Sequence, residues 1–251
     1  MAHALAPHVP AHYLLRVYYP MRAIVISRRS FVARLAGGTA ALAGAPTLLL
    51  ASRADADIVL RNGTLFDGLG GPGREMDVAI LQGRIVAVGP RLRLKGSREI
   101  DVRGLAVAPG FVDIHSHGDG SLSADPRAES LVRQGITTIV VGADGGSRFP
   151  RLTTAGGMEP FAALWTQLSG IRPAVNVASM VGLGTVRGLV VGEQNRVATP
   201  EELGRMVALV EQALADGACG ASTGLEYAPG AFATREELAA LCRPLARRGL
   251  A

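Results

Sequence analysis

Pro109-Gly110-Phe111-Val112-Asp113-Ile114-His115-Ser116-His117-Gly118-Asp119 runs from a turn-forming pair through apolar residues into two histidines one residue apart. In a strand, side chains at i and i+2 share a face. Phe111, Asp113, His115 and His117 are therefore predicted to point one way, with both imidazoles at the strand's C-terminal end. Two neutral imidazoles on one rigid edge form half of a chelate for a borderline metal such as zinc. The Pro-Gly entry and the strand-end position separate this pair from two histidines that merely cap a strand.

Downstream, strands and helices alternate. Asp125-Pro126 offers an N-cap and a favourable first position for a helix over 125–134. Ile136–Val141 is an unbroken β-branched run, the pattern of a strand buried on both faces. Glu159-Pro160 opens a helix to about 168, and a third strand follows over 173–179. Thr199-Pro200-Glu201-Glu202 is a capping box, followed by apolar residues at helical spacing. Residues 218–222 read as a fourth strand, and Thr234-Arg235-Glu236-Glu237 as a second capping box. The pattern is α/β, about four β/α units of a parallel barrel, which leaves apolar surface and strand edges uncovered.

Ahead of the histidine strand, short β-type runs at 57–60, 77–81, 84–88 and 99–107 predict a small β-sandwich-like region, with Gln82-Gly83 as a hairpin turn. Earlier still, Ser27-Arg28-Arg29-Ser30-Phe31-Val32 precedes an Ala/Gly-rich apolar run that closes on Ala54-Asp55-Ala56. A positive start, an apolar middle and a small-x-small end make a signal peptide, and the paired arginines resemble the twin-arginine type. The run is short and broken by Gly37, Gly38, Gly44 and Pro46, so no stable membrane span is expected after cleavage behind Ala56. The predicted organisation is a leader over 1–56, a small β region over 57–108 and the barrel units over 109–251. The expected destination is outside the cytoplasm, in the periplasm, by way of twin-arginine export machinery.

With 251 residues, 48% of them hydrophobic, the chain can bury a large core. Its net charge of +5 invites a nucleic-acid partner, but the excess sits in the leader; residues 57–251 hold equal numbers of basic and acidic residues. No basic stripe with interleaved aromatics is present, and nucleic acid is excluded as a partner. Beyond the leader the only histidines are His115 and His117. Asp144, in Gly142-Ala143-Asp144-Gly145-Gly146 just past the second strand, is either a third ligand or the aspartate of an Asp-Gly turn. Glu226 and Tyr227, after the fourth strand, are candidates to line a substrate pocket. Cys219 and Cys242 read as two buried thiols. Gly182-Leu183-Gly184 lacks the third glycine of a dinucleotide fingerprint, since position 187 is arginine.

Pro109-Gly110-Phe111-Val112-Asp113-x-His115-x-His117 resembles the first barrel strand of the amidohydrolase superfamily, metal-dependent hydrolases on a (β/α)₈ barrel. Gly135-Ile136-Thr137-Thr138-Ile139-Val140-Val141-Gly142, Asn176-Val177-Ala178-Ser179 and Ser222-Thr223-Gly224-Leu225-Glu226-Tyr227 narrow the resemblance to the D-aminoacylase branch, from about Asp57 onward. The resemblance implies hydrolysis of C–N amide bonds in small N-acyl amino acids, with one or two zinc ions. It implies that His115 and His117 are metal ligands, and it places Asp144 where relatives often carry a bridging cysteine. It also implies two further histidines and a proton-shuttling aspartate from later strands, which are expected beyond residue 251; the chain reads as C-terminally truncated, and little turnover is expected of it alone. Other expectations stay open: a dihydropyrimidinase-like or isoaspartyl-dipeptidase-like hydrolase, or a non-catalytic exported remnant or binding protein.

Overall fold

The structure, a computed structural model, describes residues 54–250. The signal-peptide and twin-arginine readings concern residues that lie, except for 54–56, outside the described ones. The chain divides into two units, one reaching Pro109 and the other starting at Gly110.

In the first unit, β1 (Ala56–Leu65), β2 (Arg74–Leu81), β3 (Arg84–Gly89), β4 (Gly96–Asp101) and β5 (Ala106–Val107) form one sheet. The order is β3-β2-β1-β4, with β5 pairing beside the end of β1. Ala56 already belongs to β1: it is 1% exposed, and its N–H donates to the Lys95 carbonyl at 3.2 Å. The sheet thus begins one residue ahead of the boundary expected from the sequence. Leu81 pairs with Arg84 across Gln82 and Gly83, whose φ values of 49° and 71° suit the two-residue hairpin turn that matches strand twist. The run expected over 99–107 is split into β4 and β5 by Gly104, at φ 77°.

Among the described residues of this unit the five strands form one sheet, not the sandwich-like pair of layers expected. Its small core, Ala56, Val59 and Ala79, is covered by Leu92 and Leu94 of the loop before β4. Arg61 fastens that loop. Its guanidinium donates to the Leu92 and Leu94 carbonyls, both at 2.7 Å, and pairs with Asp77 at 3.1 Å and Glu99 at 2.9 Å.

The second unit contains β6 (Phe111–Asp113), α1 (Glu129–Val132), β7 (Ile136–Val141), the short hairpin β8 (Arg151–Leu152) and β9 (Met158–Glu159), and α2 (Ala163–Ile171). It continues through β10 (Asn176–Ser179), β11 (Val181–Gly182), α3 (Leu183–Val190), α4 (Pro200–Ala215), β12 (Ala221–Ser222) and α5 (Arg235–Arg248). β10, β7 and β6 form a parallel sheet in that order, and β11 pairs parallel with β12. Met180 joins the two: its N–H bonds the Val141 carbonyl at 2.9 Å, while the Val181 N–H bonds that of Gly220 at 3.0 Å. Ile139, Val141 and Val177 are buried with Leu122 and Val175. A larger core joins α2, α3, α4 and α5 through Phe161, Val186, Met206, Val210 and Leu241.

The helix expected over 125–134 shrinks to the single turn of α1. Ala128 is buried and left-handed, at φ 45°, and Asp125 makes no side-chain cap. Burying Ala128 wins over local propensity. At α4 the expected capping box forms: Thr199 Oγ1 accepts from the Glu202 N–H at 3.2 Å, and Glu202 accepts from the Thr199 N–H at 2.9 Å. The forked Arg196 guanidinium and that N–H hold the Glu202 carboxyl down at about 2. Because this pKa is depressed on folding, its contribution is full above the ordinary carboxylate range and fades as pH falls towards about 2. Thr199→Ala is expected to remove about 1 kcal/mol of stability, read as a lowered midpoint in denaturant unfolding. Among the described residues no helix is long and apolar enough to cross a membrane.

Candidate metal centre

β6 ends at Asp113, two residues short of the first histidine. The turn after it is nevertheless fixed. Asp113 Oδ1 accepts from the His115 N–H at 3.1 Å, and the Ser116 N–H donates to the Val140 carbonyl of β7 at 2.9 Å. Ser116 is buried, and its Oγ accepts from the Gly118 N–H at 3.2 Å. With Ser116 turned inward, residues 115 and 117 are thrown outward together. The i, i+2 relation holds for the imidazoles, although a turn and not the strand carries it.

Asp144 reaches the same point from the end of β7. Gly142 at φ 76°, Asp144 at φ 52° and Gly145 at φ 73° curl the backbone back on itself. The Nε2 atoms of His115 and His117 lie 3.0 and 3.2 Å from Asp144 Oδ2. The two rings meet edge-on, 5.5 Å between centroids. One donor atom from each residue lies within 4.8 Å of the other two. The apices of a zinc tetrahedron with N and O ligands are about 3.3 Å apart, so small rotamer changes close the set around one ion. The hydrogen bond from His115 holds the Asp144 carboxyl below its ordinary range, helped by the charge of His115 and by His117. It is therefore ionised and acceptor-only, as a ligand must be. Two imidazoles and a carboxylate are the donor set zinc takes in sites that keep an open position.

A second set of contacts braces the Asp144 loop. Ser222 Oγ accepts from the Gly145 N–H at 2.9 Å and donates to the Gly142 carbonyl at 2.5 Å. The Gly145 carbonyl accepts from the Thr185 N–H at the start of α3, at 3.0 Å. The Tyr227 hydroxyl donates to the Asp144 carbonyl. Tyr227, expected from the sequence at a substrate pocket, lies on the wall of the cleft described below and is tied to the backbone of Asp144. Gly182 and Gly184 serve this contact rather than a dinucleotide: a Cβ on Gly184 would lie 2.8 Å from the Gly145 carbonyl oxygen. Gly145→Ala strains a left-handed residue and drives a methyl to 2.5 Å from the Gly224 amide nitrogen. The expected loss is about 1–3 kcal/mol in stability, measured by thermal unfolding.

The braced loop forms one wall of a cleft of about 630 Å³, with His117, Asp119, Thr185, Glu193 and Tyr227 on its other sides. Glu226 is exposed and lies outside this lining. Cys219 and Cys242 are free thiols, as expected of unpaired cysteines, but both are exposed rather than buried. On α5 the inward positions belong to Glu237, Leu241, Pro244 and Leu245; before β12 they belong to Ala218 and Gly220. Partial desolvation pushes the Cys219 thiol up all the same. From the sequence Ser222 figures only as the first residue of a motif, and neither it nor Thr185 has an expected bracing role; their short polar side chains carry no periodic signal.

No protein-family profile matches the chain. Among curated proteins, a D-aminoacylase of Alcaligenes xylosoxydans xylosoxydans is 40% identical over 206 residues, covering 77% of this chain and 43% of the relative. An N-acyl-D-aspartate deacylase of the same organism is 42% identical over 208 residues, covering 78% and 42%. Among solved structures, the N-acyl-D-glutamate deacylase of Bordetella bronchiseptica, complexed with zinc and a phosphonate mimic of the tetrahedral intermediate, superposes with a TM-score of 0.73. It is 33% identical over 78% of this chain and 44% of its own. The chain thus spans less than half the length of the relatives it matches.

Proposed function

We propose that this chain, which is similar to D-aminoacylases and N-acyl-D-amino-acid deacylases over the part it shares with them, belongs to the D-aminoacylase branch of the amidohydrolase superfamily and is the metal-gripping portion of a zinc-dependent hydrolase of small N-acyl amino acids. The bond cut is the C–N amide. The observation that carries this reading is the convergence of His115 Nε2, His117 Nε2 and the Asp144 carboxylate on one point at the mouth of a cleft. In this reading the parallel strands are about four units of a (β/α)₈ barrel, with one or two zinc ions at their C-terminal ends. The leader directs export to the periplasm by the twin-arginine route.

Zinc held by His115, His117 and Asp144 would supply Lewis acidity towards an amide carbonyl and would lower the pKa of a water to about 7. The chain's own residues do the rest. His115 and His117 offer neutral Nε2 lone pairs, and Asp144 offers a negative oxygen that offsets the charge of the cation. Tyr227 and Ser222 keep that oxygen from drifting by holding the backbone on either side of it. The cleft beside His117 is large enough for a small acyl amino acid. Asp144 is the carboxylate in contact with both imidazoles, and as a ligand it is not free to carry a proton to the leaving amine. Turnover by this chain alone is therefore expected to be slight.

Loading the purified chain with Co²⁺ in place of zinc tests the reading. The expected result is one tightly bound ion with visible d–d bands, and a shift of those bands when an N-acyl-D-amino acid is titrated in. A chain that takes up no ion, or whose bands ignore every N-acyl amino acid, would refute it. Rapid zinc-dependent release of free amino acid would overturn the expectation of slight turnover.

A further inference from the structure

Two charged side chains take no part in the metal centre yet are among the deepest in the second unit. Arg187 of α3 is 1% exposed and Glu237, in the first turn of α5, is 3% exposed. Arg187 Nε donates to Glu237 Oε1 at 3.1 Å. Its Nη2 donates to the Arg196 carbonyl at 2.6 Å and, more loosely, to that of Phe232 at 3.4 Å. Thr234 caps α5 by accepting from the Glu237 N–H at 3.1 Å, but the Glu237 side chain does not turn back to complete a capping box. It goes to Arg187 instead. A buried ion pair is weak as a source of stability, so its value is better sought in what it fixes in place.

It fixes the segment between β12 and α5. Arg187 and Glu237 line a small cavity of about 10 Å³ together with Thr223, Gly224, Leu225 and Gly230 of that segment. Arg187 Nη1 and Glu237 Oε2 have no hydrogen-bond partner among the described residues. The cavity has the volume and the two polar walls that a single water needs. At the far end of the segment Phe232 is held by Arg187, and the Ala231 N–H donates to the Tyr227 carbonyl at 2.8 Å. Tyr227 in turn holds the Asp144 carbonyl.

We propose that Arg187 and Glu237 are positioning residues that clamp residues 223–232 and, through Tyr227, keep Asp144 in register with His115 and His117. The proposal rests on Asp144 being a metal ligand, as argued above. Its test is made first without metal, so the two can fail separately. Hydrogen–deuterium exchange is measured on the full 251-residue chain and on the double variant Arg187→Met/Glu237→Leu, which removes both charges and leaves neither buried alone. The amides of Gly145, Gly146 and Ser147 are all hydrogen-bonded and so report on the Asp144 loop. They and residues 223–232 are expected to exchange about tenfold faster in the double variant, with α4 unchanged.

If faster exchange is confined to 183–199 and 235–248, the pair is only structural and the proposal is overturned. Should the double variant fail to fold, Tyr227→Phe cuts the last link at an exposed position. Faster exchange of 144–147 is then expected, and unchanged exchange overturns the clamp. With Zn²⁺ added, the folded double variant is expected to bind about tenfold more weakly than the parent chain. A parent chain that binds no zinc counts against the metal reading, while the metal-free exchange result still decides the clamp.

Discussion

Replacing His115 or His117 with alanine is expected to weaken zinc binding by about 100-fold, and replacing both to abolish it in the micromolar range. Structural zinc in small peptides is bound with roughly 10–16 kcal/mol shared among four ligands, so about 3 kcal/mol is lost with each, near 100-fold. Asp144→Asn is expected to match either histidine variant. It keeps the shape of the side chain but removes the charge and can turn an amide N–H toward the cation. Glu226→Gln serves as the control, because Glu226 is exposed and outside the cleft, and its zinc affinity should equal the parent's. Isothermal titration against a competing chelator measures all five.

The same site sets the pH dependence. Asp144 is already held below the ordinary carboxylate range by His115 and His117. Its charge therefore persists through mild acid and fails only as pH falls through that depressed value. Zinc bound through His115 and His117 competes with protons for the same ring nitrogens. If both ligate, the logarithm of affinity should fall by up to about two for each pH unit on the acid side. A limiting slope of about one would mean that a single histidine binds the metal, and the two-imidazole centre would be wrong.

Some of this was legible in the residues, and the reasons differ from element to element. Ile136–Val141 announces a strand because β-branched side chains in an unbroken run favour extended backbone, but only Ile139 and Val141 are buried, so the expected burial on both faces is not met. Gln82-Gly83 and Thr199 with Glu202 are equally local: a turn type and a cap are decided by two to four neighbours. The convergence of the three side chains was legible because His115 and His117 lie two residues apart and Asp144 follows the next strand, so topology brings them together. Long-range competition hid the rest. The second capping box carries the same letters as the first, yet Glu237 is drawn away by a buried guanidinium 50 positions earlier. The helix begun by Asp125-Pro126 gives way at Ala128, which is buried and left-handed and interrupts it. Leu92 and Leu94 cover the first sheet from a loop with no periodicity to reveal them. Cys219 and Cys242 look like core positions by residue type, but their neighbours fill the inward side.

The buried pair gives the largest stability effects, and they should be strongly non-additive. Arg187→Met leaves the Glu237 carboxylate buried without its partner, and Glu237→Leu strands the guanidinium; each is expected to cost about 3–5 kcal/mol. For a chain of this size that lowers the melting midpoint by about 10 °C. The double variant, close to the pair in volume and wholly apolar, should lie within about 1 kcal/mol of the parent. The two single variants should also part company with pH. Burial already pushes the Glu237 carboxyl up while Arg187 opposes the shift. Removing Arg187 removes the opposition, so the folded pKa rises further above the unfolded one. A carboxyl raised on folding is tolerated where it is protonated, below its unfolded pKa, and destabilises increasingly as pH climbs through the folded value. The deficit of Arg187→Met should therefore narrow as pH is lowered from 8 to 5. That of Glu237→Leu should not, since a guanidinium stays charged throughout this range. Urea unfolding of the three variants across that range decides it. Equal damage from singles and double, or a deficit in Arg187→Met that ignores pH, would show that packing volume and not a desolvated charge governs this part of the core.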